Sequence, residues 1–171
     1  SAVVDLELEP MVYSTEFIDA LEVAAHRAGT IAAVHLKVDT GMRRVGCEPR
    51  DAVELARLID RSGALRLRGV ATHLAGADDP RSDQTAQQLA TFADVTDRLA
   101  AAGFDRLIRH AANSAGTIGH PDSRLDMVRC GIAIYGIDPC EHLEATVELV
   151  PALRLTTRLA FVKEVAGGQP V

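Results

Sequence analysis

The sequence predicts an α/β fold built on a parallel sheet. Short apolar runs bounded by turn residues alternate with stretches of roughly 12 to 20 residues that have a helical period, the pattern of strand–helix–strand units. Consecutive strands joined by such helices run parallel, with right-handed crossovers. No G-x-G-x-x-G segment follows any of the apolar runs, which argues against a doubly wound dinucleotide-binding sheet, the structural alternative.

Local signals define the predicted elements. Ser14 favours the start of a helix as its N-cap, and Gly29 is placed to end that helix. Pro49 suits the first turn of the second helix. The predicted helices cover 14–29, 49–62 and 84–102, and the predicted strands cover 10–13, 32–38, 67–74, 107–111 and 131–136. One face of the third helix is predicted to carry Leu89, Phe92, Thr96 and Leu99.

These elements amount to part of a barrel. Five strands and three full helices make about half to two-thirds of a (β/α)8 barrel, because a closed barrel takes about 250 residues. From about Leu153 the pattern changes to an alternation of apolar and polar residues around Lys163, with no helix before it. We therefore predict that residues 1–143 are the C-terminal portion of a barrel, about strands 4 to 8, and that 144–171 are a linker and the start of a β-rich domain.

Composition excludes several classes of function. The net charge of -6 opposes binding to a phosphate backbone, so nucleic acid is not an expected partner. No apolar run approaches the roughly 20 residues that span a bilayer, and the N-terminus does not resemble a signal peptide, so no membrane association is expected. The three cysteines form no C-x-x-C pair, which favours a reducing compartment, the cytoplasm, and predicts no metal site.

Lys37 is the residue that most needs an explanation. It lies in the apolar run 32–38, just before a D-T-G turn signal, and a buried amine is costly unless it is paired, neutralised or modified. One interpretation is that Lys37 pairs with Asp39 or extends its ammonium group out of the strand end. The other is that Lys37 faces Arg44 across the turn, which requires an anion between the two cations.

Polar residues also mark three further predicted strands. Chemistry in a parallel α/β fold gathers at the C-terminal ends of the strands, so these residues converge if the strands do. Taken singly, His73 fits a structural histidine and Ser114 fits an N-cap, although N-cap geometry also presents backbone amides to a phosphate. His73, Asn113 and Ser114 follow predicted strands, whereas Arg129 lies at the start of its apolar run, where the following glycine indicates that the strand begins beneath the site. The backbone amides of Gly131 and Ile132 would complete the phosphate cradle, because a glycine lets the backbone approach closely.

Four ordered segments carry a family resemblance. The segment K-V-D-T-G-M-R-R-V-G, starting at Lys37, resembles the K-V-D-T-G-M-x-R-x-G signature of the alanine racemases. T-H-L-A-G-A-D, H-A-A-N-S-A-G and D-M-V-R-C-G-I-A-I-Y-G follow in the family's order and at similar intervals. The chain is therefore identified as similar to the alanine racemases, which are pyridoxal-phosphate enzymes of fold type III with a (β/α)8 barrel.

The resemblance implies a role for each site residue. Lys37 would be carbamylated by CO2, and the resulting anion would orient Arg44 toward the phenolic oxygen of pyridoxal 5'-phosphate, with Asn113 packed nearby. Arg129 would donate a hydrogen bond to the pyridine nitrogen, and His73 would pack by the ring and bond to Arg129. The phosphate would be held by the Ser114 hydroxyl and the backbone amides of Gly131 and Ile132.

The function implied is that of an isomerase. The parent protein would interconvert L-alanine and D-alanine in the cytoplasm, supply D-alanine for peptidoglycan, and act as a homodimer that shares its active sites. Neither Lys37 nor Lys163 matches the family's cofactor-binding lysine, and the family's catalytic tyrosine is also unmatched. We therefore expect an internal fragment that lacks both catalytic bases and is inactive alone.

Other functions remain compatible with the sequence. A broader-specificity amino-acid racemase of the same fold differs in pocket residues beyond Val171. A non-catalytic pyridoxal-phosphate-binding barrel protein is disfavoured by the alternating segment after Leu153, because such proteins lack the β domain. A structural or scavenging fragment without any cofactor is the fourth possibility.

Overall fold

The structure, a computed structural model, describes residues 2–140 and 147–168. Within these residues the sheet has four parallel strands that follow one another in chain order. The strands are β1 (Met11–Val12), β2 (Ala32–Lys37), β3 (Leu65–Ala71) and β4 (Ile108–His110), ordered β1-β2-β3-β4. A doubly wound sheet reverses its strand order at a switch point, whereas this order never reverses, which is the topology of a barrel segment. Four predicted strands are thus present, and the third is Leu65–Ala71 instead of 67–74.

The three long helices connect the strands in the predicted order. They are α2 (Thr15–Ala28), α3 (Ala52–Arg61) and α4 (Gln84–Ala101), and a four-residue helix, α1 (Ala2–Asp5), precedes them. The Ser14 hydroxyl accepts a hydrogen bond from the Phe17 amide at 3.3 Å, and Gly29 ends α2 in the left-handed region with φ of 65°. Both predicted caps are confirmed, and a 3-10 turn at Pro49–Asp51 leads into α3.

The buried face of α4 is rotated by about one residue from the prediction. Leu89 and Thr96 are only partly buried, while Gln88 and Val95 are almost fully enclosed. Gln88 is buried because its carboxamide forms hydrogen bonds with the loop beneath the helix. These polar contacts turn the helix so that its buried face differs from the apolar stripe predicted from the sequence. The residues buried on α4 are Thr85, Gln88, Phe92, Val95 and Leu99.

The two faces of the sheet differ in character. Along β2, Val34 and Leu36 belong to the apolar core, which includes residues of α2, α3 and α4. Side chains alternate across a strand, so His35 and Lys37 lie on the opposite face. Both are buried all the same, at 6% and 5% exposure. The face away from the helices therefore carries titratable groups, and it is the face on which the site is built.

The predicted fifth strand is wrong. Residues Ile132–Tyr135 form a 3-10 helix in which the Ile134 amide bonds to the Gly131 carbonyl at 3.0 Å. Gly136, with φ of 74°, ends that turn. An apolar run becomes a strand only when a neighbouring strand pairs with it, and no strand of the described residues does so here. Ile134 and Tyr135 are accordingly exposed.

The C-terminal segment 147–168 contains neither helix nor strand. Its apolar side chains are exposed, with Leu155 at 95%. The predicted alternation therefore forms no β structure in this part of the chain, since a strand there has no neighbour with which to pair. The boundary at 143/144 lies outside the described residues and stays a prediction. Within residues 2–140 and 147–168, no helix combines the length and the apolar character needed to cross a membrane.

Candidate active site

The C-terminal ends of β2, β3 and β4 bring the predicted site residues together. Lys37 ends β2, His73 follows β3 by two residues, and Asn113 follows β4 by three. A cavity of about 380 Å³ opens between these ends and the 3-10 turn at Ile132–Tyr135. Its lining includes most of the predicted set, namely His73, Asn113, Ser114, Arg129, Gly131 and Ile132.

Arg129 is held from several directions. Its Nη2 donates to the Thr72 carbonyl at 2.6 Å and to the Ala111 carbonyl at 3.2 Å. Its Nη1 lies 2.7 Å from Nδ1 of His110, and Nη2 lies 3.5 Å from Nδ1 of His73. A guanidinium only donates hydrogen bonds, so both imidazole nitrogens must present lone pairs to it. The charged side chain is thereby fixed across the ends of β3 and β4.

His73 is half-buried and faces three cations. Burial is the main cause that lowers the pKa of His73, and the charges of Arg129, Arg44 and Lys37 lower it further. The neutral imidazole is therefore favoured. Its Nδ1 accepts from Arg129, which leaves Nε2 as the protonated nitrogen.

Lys37 is buried without a carboxylate partner among the described residues. Its Nζ donates to the Val38 carbonyl at 2.9 Å. Burial lowers its pKa to about 8, an effect that nearby Asp39 partly opposes and Arg129 and Arg44 reinforce. The Asp39 carboxylate instead accepts from the loop amides of Gly41 at 2.9 Å and Arg43 at 3.0 Å. The interaction with Asp39 is thus electrostatic, without a direct ion pair.

Arg44 lies apart from the other predicted residues. It is exposed and lines a neighbouring cavity of about 400 Å³ together with Asp39, Gly41 and Gly46. No hydrogen bond joins it to Lys37 within the described part of the chain. Its charge nevertheless helps to lower the pKa of both Lys37 and His73, so Arg44 lies within electrostatic range of the site without contacting it.

Ser114 sits where two segments meet. Its Oγ accepts from the Gly131 amide at 2.9 Å and from the Ala133 amide at 3.2 Å. The N-cap of α5 (Ser114–Gly119) is Asn113, which accepts from the Gly116 amide at 2.8 Å, so the N-cap interpretation of Ser114 is wrong by one residue. A hydroxyl that accepts two bonds keeps its own proton to donate.

The surroundings of Ser114 fit an anionic group. A Cβ added at Gly131 would meet nothing within 4 Å, so the backbone is open to close approach there. The Ser114 proton and the Ile132 amide supply donors, and the cavity lining carries the cation of Arg129 and the carboxylate of Asp78. Hydrogen-bond donors and open backbone together suit a phosphate.

Gln88 is a positioning residue that the sequence did not identify. Its Nε2 donates to the His73 carbonyl at 2.9 Å and to Thr40 Oγ1 at 3.2 Å, and its Oε1 accepts from the Ala75 amide at 2.9 Å. It therefore ties the loop after β2 to the loop after β3. The available signal was a polar residue one helical turn before Phe92 on the buried face of the third helix.

His110 was also missed. It is fully buried at the end of β4 and contacts Arg129 directly. It is the first residue of the H-A-A-N-S-A-G segment, in which the resemblance assigned roles only to Asn113 and Ser114. A histidine at the end of a buried strand, close in sequence to Asn113, was the signal.

The family model of the alanine racemase N-terminal domain matches residues 1–139. The chain belongs to this family. The alanine racemase of Treponema denticola is 40% identical over 162 residues, covering 93% of this chain and 43% of its own length. That of Symbiobacterium thermophilum is 42% identical over 170 residues, covering 99% of this chain and 45% of its own length. The chain thus spans under half the length of these curated relatives.

Solved alanine racemases share the fold. The enzyme of E. faecalis superposes with a TM-score of 0.84 at 31% identity, covering 99% of this chain and 46% of that one. An alanine racemase from Bartonella henselae, solved with covalently bound pyridoxal phosphate, gives a TM-score of 0.71 at 26% identity over 87% of this chain and 41% of that one. These alanine racemase neighbours confirm the predicted partial (β/α)8 barrel.

Proposed function

We propose that this chain is part of an alanine racemase and that its cavity at the strand ends binds pyridoxal 5'-phosphate. The observation that carries the proposal is the single cavity that joins Arg129 and His73 to Ser114, Gly131 and Ile132. The family is pyridoxal-phosphate-dependent. One arginine and a set of hydrogen-bond donors in a single cavity match a flat heteroaromatic ring that carries a phosphate.

Arg129 would bind the pyridine nitrogen. Its guanidinium keeps its protons, so it donates to the ring nitrogen and leaves that nitrogen unprotonated. When bound, the cofactor withdraws electrons from the Cα of an amino acid, and an unprotonated ring nitrogen weakens that withdrawal. Arg129 would thereby favour movement of the proton at Cα over competing reactions. The bonds to Thr72 and Ala111 hold the guanidinium in place for this role.

Ser114 and the following turn would hold the phosphate. The Ser114 hydroxyl donates while still accepting from the Gly131 and Ala133 amides, and the Ile132 amide adds a second donor. The Gly131 amide, also predicted as a phosphate donor, donates to Ser114 Oγ and so acts through that hydroxyl. Asn113 fixes the position of this turn, since it caps α5 and donates to the Leu74 carbonyl at 3.2 Å. His73, half-buried in the same cavity, would pack beside the ring.

Lys37 would be carbamylated. A pKa near 8 leaves part of the amine neutral at physiological pH, and the neutral amine is the form that attacks CO2. A bond forms between the neutral Nζ and the carbon of CO2, one C–O π bond of CO2 breaks, one proton leaves Nζ for solvent, and a carbamate anion replaces the neutral amine. That anion would draw in Arg44, which now lies exposed in the neighbouring cavity, and direct it toward the cofactor's phenolic oxygen.

The full-length enzyme would interconvert L-alanine and D-alanine in the cytoplasm, as a homodimer that shares its active sites, and supply D-alanine for peptidoglycan. Family membership supports the reaction, and the Cα chemistry assigned to Arg129 is consistent with it.

The experiment compares two serines in the full-length enzyme. Ser114→Ala removes the phosphate donor, and Ser62→Ala is the matched control because Ser62 Oγ also accepts from two backbone amides, at 2.9 and 3.3 Å, at the start of β3. We expect Ser114→Ala to weaken pyridoxal phosphate binding by about tenfold in a fluorescence titration. The control should bind like the wild type. Equal affinities for all three proteins would contradict the assignment of the phosphate site.

A further inference from the structure

A line of hydrogen bonds runs from the active site through the sheet to its opposite edge. Arg129 Nη1 lies 2.7 Å from His110 Nδ1, and His110 Nε2 lies 2.8 Å from His35 Nδ1. His35 Nε2 then lies 3.1 Å from Oε2 of Glu9, which precedes β1. The other carboxylate oxygen accepts from Arg68 Nη1 at 2.7 Å. Both imidazoles are buried and Glu9 reaches solvent, so the line connects the site to the surface.

The direction of every bond in this line follows from its two ends. Arg129 can only donate, so His110 Nδ1 must accept, and the His110 proton must sit on Nε2. That proton is donated to His35 Nδ1, which places the His35 proton on Nε2. The Glu9 carboxylate can only accept, and it receives that proton. A donor-only group at one end and an acceptor-only group at the other leave a single consistent arrangement.

The sheet leaves space for the His35 ring. A Cβ added at Gly69 of β3 would fall on the His35 ring, including a 2.6 Å approach to Cε1. The pairing of β2 with β3 shifts register between Val34 and His35, which is where the ring enters. The rings of His35 and His110 then meet edge to face, with centroids 4.9 Å apart. Strand register and glycine placement both accommodate this contact.

Burial and the neighbouring cations keep His110 neutral. Burial, the largest cause, lowers the pKa of His110 to about 3, and the positive charges of Arg129 and Lys37 contribute to the shift. A protonated His110 would present a proton toward Arg129 and break the 2.7 Å contact. The neutral state of His110 and the donor-to-acceptor direction of the hydrogen-bond line therefore require each other.

We propose that Glu9 and His35 are positioning residues: acting through His110, they fix the orientation of the Arg129 guanidinium and the direction of its hydrogen bond to His110. The inference rests on the proposed function for its effect on catalysis, but not for its structural content. His110 accepts one Nη1 proton of Arg129, and the carbonyls of Thr72 and Ala111 share the two Nη2 protons with the more distant His73 Nδ1. No hydrogen bond within the described residues uses the second Nη1 proton or the Nε proton, which leaves both for a ligand.

Nitrogen NMR of the full chain tests the line without any cofactor. With ¹⁵N-labelled histidine at neutral pH, we expect His35 and His110 each to show a protonated Nε2, with its one-bond coupling to hydrogen, and an unprotonated Nδ1. A protonated Nδ1 on either ring would overturn the proposal. This result stands whether or not the chain binds pyridoxal phosphate, so it is separable from the failure of the proposed function.

A charge swap tests the effect on Arg129 in the full-length enzyme. The double variant Glu9→Lys/Arg68→Glu keeps an ion pair at the surface but offers His35 a donor in place of an acceptor. Two donors, the Nε2 proton of His35 and the new ammonium group at position 9, then face each other at one end of the line. We expect kcat for alanine to fall about tenfold, the effect of losing one buried hydrogen bond, with KM nearly unchanged. His35 Nε2 should lose its proton in the NMR spectrum. A swap with wild-type kcat and tautomers would overturn the proposal.

Two further variants separate positioning from folding. Glu9→Gln is combined with Arg68→Gln, because a carboxamide has a single acceptor oxygen and loss of the Arg68 donor leaves that oxygen to accept from His35; we expect kcat to recover to within about twofold of the wild type. Arg68→Gln leaves the carboxylate in place and serves as the control with unchanged activity. If the swap does not fold, His35→Phe takes its place, since it retains the ring against His110 and removes both hydrogen bonds. The same tenfold loss of kcat is expected, and wild-type kcat would refute the role of His35.

Discussion

Replacement of Gln88 by leucine tests how the loops of the site are held. Gln88 is 1% exposed and its carboxamide makes three hydrogen bonds, to His73, Thr40 and Ala75. At about 1 kcal/mol each, their loss costs about 3 kcal/mol, and the added apolar burial of leucine offsets about 1 kcal/mol. We therefore expect a net destabilisation of about 2 kcal/mol.

Urea unfolding of the full chain measures this change. With a slope of about 2 kcal/mol per molar urea, the midpoint of Gln88→Leu should fall by about 1 M. Gln87→Leu is the matched control, because Gln87 is the adjacent residue on α4 and is exposed, and it should change the free energy of unfolding by less than about 0.5 kcal/mol. Equal midpoints for the two variants would refute the view that Gln88 joins the loops.

Lys37 should make stability rise with pH between its folded pKa of about 8 and its ordinary value of 10.5, because the unfolded chain binds more protons in that window. The full pKa shift corresponds to about 3 kcal/mol in the free energy of unfolding. In Lys37→Met this pH dependence should disappear from urea midpoints measured across the same pH range. The chain expressed alone should form no D-alanine from L-alanine, since Lys37 is buried and Lys163 lies exposed in the segment 147–168; D-alanine formation free of host enzyme would contradict this. In the full-length enzyme, Arg129→Glu should lower racemisation by roughly 100-fold, raise side transamination and lower pyridoxal phosphate affinity far less. Loss of cofactor binding with no rise in side reaction would make Arg129 a structural anchor.

Local sequence signals predicted the elements whose ends depend on nearby residues. Ser14 and Gly29 bound α2 because a hydroxyl cap and a left-handed glycine act within one turn of the chain. The strand that ends at Lys37 and the strand that leads to His73 were predicted because an apolar run between turn signals is a local pattern. Their convergence then followed from the rule that parallel strands place their C-terminal ends at one edge of a sheet.

Features that depend on distant partners escaped prediction. The run 131–136 is apolar enough for a strand, but strand formation needs a paired neighbour. The bonds to the distant Ser114 hydroxyl, together with the local bond from the Ile134 amide to the Gly131 carbonyl, shape this run as a turn instead. Gln88 looks like an interruption of an apolar face until the loops around His73 are placed beneath it. The contact between His35 and His110 joins residues 75 positions apart, and only the register of the sheet brings them together.

The most direct test of the proposed function is a crystal structure of the full-length enzyme soaked with pyridoxal 5'-phosphate. We predict the phosphate on the Ser114 hydroxyl and the Ile132 amide, and the pyridine nitrogen within hydrogen-bond distance of the Arg129 guanidinium. A phosphate bound to Arg129, or a cofactor bound outside the cavity that Arg129 and Ser114 share, would contradict it.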